Sequence, residues 1–140
     1  MVDMERKKSM IDSIIIHCSD SDLDEFDNIE AVRQWHLDRG WSDIGYHFYI
    51  DSKGKMELGR PIEKAGAHCA GHNLRSIGIC ISGRKRFYAE QYRALLFLLK
   101  DLMRRYKLKR SDVYPHNYFN SNKSCPNFSI ETIWSYEHEK

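Results

Sequence analysis

SIIIHCSDSD, residues 13–22, is the stretch whose reading decides the fold. Ile14, Ile15 and Ile16 are β-branched and consecutive, and the run stops at four polar residues, Ser19 to Asp22. That pattern predicts a buried strand over 13–18. Side chains alternate across a strand, so His17 and Cys18 point to opposite faces and are not expected to share a metal ion. Working outward, SIGICIS at 76–82 reads as a second, central strand. YHFYI at 46–50 is aromatic and β-branched, the turn DSKG follows at 51–54, and 55–58 returns as the hairpin partner. Residues 112–114 predict one more short strand. Between the strands lie helix signals. Asn28 is a good N-cap, Ile29, Val32, Trp35 and His36 recur at helical spacing, and Gly40 supplies the stop. Tyr92, Leu95, Leu96, Leu99, Leu102, Met103 and Tyr106 make one apolar stripe over 89–106. Ser129 caps a last helix through Ile130, Ile133 and Trp134. Strands alternating with helices predict an α/β domain, with a central mixed sheet flanked by about three helices. We place its boundaries at 13–137, with 1–12 as an N-terminal extension.

The bulk properties narrow the function. A chain of 140 residues buries a real core without staples. Hydrophobic residues at 41% and charged residues at 30% exclude disorder. A net charge of +2 does not support a nucleic-acid partner. The basic run at 104–110 falls where a helix should end, where cations complement the helix dipole. No segment reaches the roughly 20 apolar residues that span a bilayer. The charged amino terminus and short apolar run do not form a signal peptide, so synthesis is expected in the cytoplasm. The four Cys are then expected as free thiols or metal ligands rather than disulfides.

Among seven His and four Cys, three stand out by their surroundings. His17 ends the apolar strand, and His116 and Cys125 lie in the segment Pro115-His116 … Lys123-Ser124-Cys125-Pro126. Two imidazoles and a thiolate suit zinc and leave a fourth position open for water or substrate. On residues alone, plainer readings remain stronger. His17 and His116 read first as histidines bonded to backbone, and Cys125 as a small buried hydrophobe. Tyr46 reads as core packing and Lys123 as a solvated loop lysine. His47 alternates away from Tyr46 and is expected in the core. His36 and His138 are expected on helix surfaces, and Cys18, Cys69 and Cys80 as structural thiols. No Glu stands in a zinc-protease HExxH arrangement.

The chain resembles the zinc-dependent N-acetylmuramoyl-L-alanine amidases of the type 2 group, which include short phage lysozymes of amidase type and peptidoglycan recognition proteins. The motifs that carry the resemblance are IIIHCS at 14–19, RQWHLDRGWSDIGYHFYI at 33–50, DSKGKMELGRP at 51–61, GAHCAGHN at 66–73, SIGICISG at 76–83 and KSCPNF at 123–128. It implies a zinc cleft on one side of the sheet, with one Zn²⁺ held by His17, His116 and Cys125. It implies Tyr46 as the active-site tyrosine and Lys123 as the active-site lysine found two residues before the cysteine in phage members. The implied reaction hydrolyses the amide between N-acetylmuramic acid and L-alanine in peptidoglycan, on the cell wall after release. The alternative is a non-catalytic muropeptide-binding module; members of that kind typically lose the zinc cysteine, which this chain keeps. We expect a monomer, with His68 and Asn73 binding substrate from the small-residue loop 65–74, Arg60 nearby, and His72 unassigned. One region departs from the family pattern. Asn117-Tyr118-Phe119-Asn120 follows His116 where an acidic residue often stands, and the segment to Cys125 is about one residue longer.

Overall fold

Five strands form one mixed sheet in the computed structural model, which describes residues 4–138. They are β1 (Ser13–Cys18), β2 (Phe48–Ile50), β3 (Met56–Leu58), β4 (Ser76–Ile81) and β5 (Val113–Pro115). Their order is β3-β2-β4-β1-β5, with β3 antiparallel to β2 and the other pairings parallel. The hairpin turn works as its sequence predicts: Asp51 Oδ1 accepts the backbone N–H of Lys53 and of Lys55, and Gly54 takes φ 84°.

Register sorts the side chains into two layers. Ile14 sits opposite Ile77 and Ile16 opposite Ile79, and this face packs under α2 (Ala89–Tyr106) and α4 (Ile130–Ser135). Leu95, Leu99 and Ile133 are fully buried there. On the other face His17 and Tyr49 both sit opposite Cys80, and Tyr49 and Cys80 pack with Ile29 and Val32 of α1 (Ile29–Asp38). Asn28 caps α1 by accepting the Ala31 N–H at 2.8 Å, and Gly40 ends it with φ 87°. One layer is therefore core, and the other carries the chemistry-bearing residues.

Three elements and one residue depart from expectation. The regular ladder of β2 begins at Phe48, not at 46; Tyr46 and His47 still bond across to Arg60, Gly59 and Gly78. β5 lies one residue later than 112–114. The segment after Pro115 is not all loop, because His116–Phe119 form a one-turn helix, α3. His36 is not a surface residue: it is buried, and its Nδ1 accepts the Gly45 N–H at 2.8 Å. The described part of the N-terminal stretch is fastened to the domain. Arg6 is buried and donates to the carbonyls of Ile62, Asn73, Leu74 and Ser76, while Ile11 joins the core.

Candidate active site

The carboxyl ends of β1 and β5 lie side by side, since these strands pair in parallel. His17 is the penultimate residue of β1, and His116 directly follows β5. Neighbouring strands run about 4.8 Å apart, and the two imidazole centroids are 4.3 Å apart. Strand pairing, not loop packing, thus brings together two residues far apart in sequence.

Cys125 arrives from the following loop. The Asn117 N–H donates to its carbonyl at 3.0 Å, and its Sγ accepts from the Cys18 N–H at 3.4 Å. Cys18 Sγ lies 2.7 Å from Cys125 Sγ. Hydrogen bonding from the Cys18 thiol, helped by His116, brings the Cys125 thiol down to about 5 despite its burial. The Cys18 thiol moves the other way, since it faces that thiolate. Burial, with the neighbouring imidazoles, holds His17 and His68 well below the usual histidine range, so both rings are neutral.

The other predicted residues divide. The Tyr46 ring lies 5.0 Å from His17, and burial pushes its phenol well above the usual range, so it stays a proton donor. Lys123 is exposed at the rim of the same cleft. His68 lines the cleft, but both ring nitrogens face protein partners, His17 Nε2 at 2.8 Å and Ser76 Oγ at 3.1 Å. Asn73 stands outside the cleft, where its Oδ1 accepts the backbone N–H of His68 and Cys69. Arg60, expected against glycan or peptide, is instead buried and donates to the carbonyls of Ile44 and Ala65. His47 is the core histidine its alternation predicts: Nδ1 faces the Gly78 N–H and Nε2 the Lys64 carbonyl.

The cleft holds about 390 Å³. Its lining includes residues that sequence reading did not assign to a site: Trp35, Arg39 and Trp41. Arg39 lies over the Trp41 ring at 5.6 Å, and the Trp41 ring packs tilted against His36 with centroids 4.4 Å apart. The available signal was Trp41 itself, a large aromatic just past the helix stop with no place in the apolar stripe of α1.

Residues 6–128 match the N-acetylmuramoyl-L-alanine amidase family. The chain belongs to this family. The endolysin of Escherichia phage T7 is 31% identical over 137 residues, covering 92% of this chain and 89% of that protein. The endolysin of Klebsiella phage KP32 is 32% identical over 140 residues, covering 91% and 88%. The N-acetylmuramoyl-L-alanine amidase LysC from Clostridium intestinale superposes with a TM-score of 0.82 at 29% identity, covering 98% of this chain and 92% of that one. The α/β architecture and the enzyme class expected of an amidase are both found.

The amidase family raises the question of metal. Among the described residues, no three His, Cys, Asp or Glu side chains stand in ligand geometry. His17 Nε2 is turned to His68, and Cys125 Sγ to Cys18. The donor chemistry nonetheless fits zinc: two imidazoles with ring centroids 4.3 Å apart, and a thiol already biased to thiolate beside one of them. Among the described residues, no helix is long and apolar enough to cross a membrane.

Proposed function

We propose that the chain is a zinc-dependent hydrolase that cuts the amide between N-acetylmuramic acid and L-alanine in peptidoglycan. The observation that carries this reading is the meeting of His17, His116 and Cys125 at one end of the cleft, in a member of the amidase family. Zinc, when bound, supplies a Lewis acid for the scissile carbonyl and lowers the pKa of its water to about 7.

The protein's own groups do the rest. Tyr46, kept protonated by burial, donates to the oxygen on which negative charge develops. Lys123 brings a cation to the same rim, and a thiolate ligand makes that help worthwhile, because it donates more charge to the metal than a third imidazole would. Trp41 and Arg39 offer a stacking wall to the glycan–peptide substrate. In this reading the enzyme acts as a monomer on the cell wall after release, as an endolysin, with 13–137 as the catalytic domain.

Purified protein incubated with muropeptides should free a stem peptide with a new L-Ala amino terminus, read by mass spectrometry. It should carry about one zinc per chain, and Cys125→Ser should lose it. Cleavage only between sugars would sink the reaction; binding without cleavage would point to a muropeptide-binding module instead.

A further inference from the structure

A line of hydrogen bonds runs behind His17, and its direction is fixed at the far end. The His72 carbonyl can only accept. Ser76 Oγ lies 2.7 Å from it and donates its single proton there. Ser76 Oγ then has only lone pairs to offer His68 Nε2 at 3.1 Å, so His68 carries its proton on Nε2. A neutral imidazole protonated on Nε2 has a bare Nδ1. That nitrogen lies 2.8 Å from His17 Nε2, so His17 is the donor of this pair. His17 therefore holds its proton on Nε2 and a free lone pair on Nδ1.

We propose that His68 and Ser76 are positioning residues that lock His17 in its Nε2–H tautomer and thereby select Nδ1 as its ligating nitrogen. The proposal rests on the zinc reading given above. A ligating histidine is normally held by a partner on its second nitrogen; here that partner is another histidine, itself held by a serine.

The surroundings hold His68 in this role. Its ring fits between two glycines: a Cβ on Gly66 would lie 2.5 Å, and one on Gly78 2.6 Å, from His68 Cδ2. Asn73 Oδ1 accepts the N–H of His68 and of Cys69, both at 2.9 Å, and so fixes the backbone that carries the ring. Ser76 is fully buried as the first residue of β4, so the line is anchored on the sheet. With both nitrogens committed, His68 has no ring donor or acceptor left for a substrate.

The test uses the full chain labelled with ¹⁵N. In metal-free wild type, two-bond ¹H–¹⁵N correlations should show His17 and His68 both protonated on Nε2. A His17 proton on Nδ1 would overturn the proposal. Ser76→Ala should give a mixed His17 tautomer and weaken zinc binding about 10- to 100-fold in competition with a chromophoric chelator. Ser76→Thr, which keeps the hydroxyl on a strand that tolerates β-branching, should return both toward wild type. Zinc affinity in Ser76→Ala within twofold of wild type would also overturn it. A wild-type chain that binds no zinc yet shows His17 protonated on Nε2 would sink the zinc reading alone and leave the relay standing.

Discussion

Asn117 is joined to the arm that carries Cys125 at two points. Its N–H donates to the Cys125 carbonyl at 3.0 Å, and its Nδ2 to the Ser124 carbonyl at 3.3 Å. Asn117 opens the stretch after His116 that departs from the family pattern, and a carboxylate at this position could not make the second of these bonds. The departure in sequence thus becomes a clasp between the two segments that bring His116 and Cys125 into the cleft. Asn117→Ala keeps the backbone bond and loses the exposed side-chain one. We expect a stability loss of about 0.5–1 kcal/mol, with faster amide exchange confined to the loop 120–127. Exchange spread evenly over the sheet would contradict the clasp.

Tyr46→Phe removes only a hydroxyl. Its ring stays packed beside His17, so folding and zinc content should be unchanged. The rate should fall roughly 10²- to 10³-fold, the usual cost of losing one oxyanion donor. Lys123→Gln should act in the same direction without a stability change, because Lys123 is exposed. Steady-state kinetics on soluble muropeptide would separate these rate losses from a change in KM.

Trp41 should behave differently. It lines the cleft beside His36 and carries Arg39 on its face. Trp41→Ala is expected to raise KM about 2- to 10-fold with kcat little altered, the scale of one lost stacking contact. An equal fall in kcat would assign Trp41 to the reacting centre instead.

Stability should fall in acid. Burial, with Arg6 nearby, pushes His47 down to about 3; burial, with Arg39 and Arg60, pushes His36 down to about 4. Both titrate near 6.5 when unfolded. Between these values the unfolded chain binds more protons than the folded one, so low pH favours unfolding. Their contribution is complete above about pH 6.5 and is lost as pH falls toward 4 and then 3. Denaturant midpoints should therefore drop steadily from pH 6.5 to 4; a flat profile there would mean that neither ring is held neutral.

Gly45 tests the packing beneath the cleft. Its N–H is spent on His36 Nδ1, and a Cβ would fall onto the Ala67 carbonyl. Gly45→Ala should cost roughly 1–3 kcal/mol, measured by chemical denaturation, and should disturb His36 and Tyr46 together.

Local signals and long-range contacts separate what the sequence reveals from what it hides. β1, α1 and α2 were legible because each satisfies a short-range rule: a β-branched run, an N-cap with a glycine stop, an apolar stripe. His17, Tyr46, His116, Lys123 and Cys125 are singled out by motif order, and the structure gathers them around one cleft. His36 was misread because helical periodicity cannot show that Gly45, nine residues on, turns back to meet its ring. The contact between His68 and His17 was hidden for the same reason, since the two lie 51 residues apart. The one-turn helix α3 has too few residues for any period to show.

His17 lies in β1 and His116 directly after the neighbouring parallel strand β5, while Cys125 hangs on a loop fastened by Asn117. The two kinds of attachment make the centre modular. The imidazole pair is inseparable from the sheet and persists for as long as the protein is folded. The thiol arm comes from a loop and meets the sheet at Cys18, the last residue of β1. Under the proposed zinc reading, a descendant could discard the hydrolytic chemistry by replacing Cys125 alone and still inherit the groove around His17, ready to serve as a receptor.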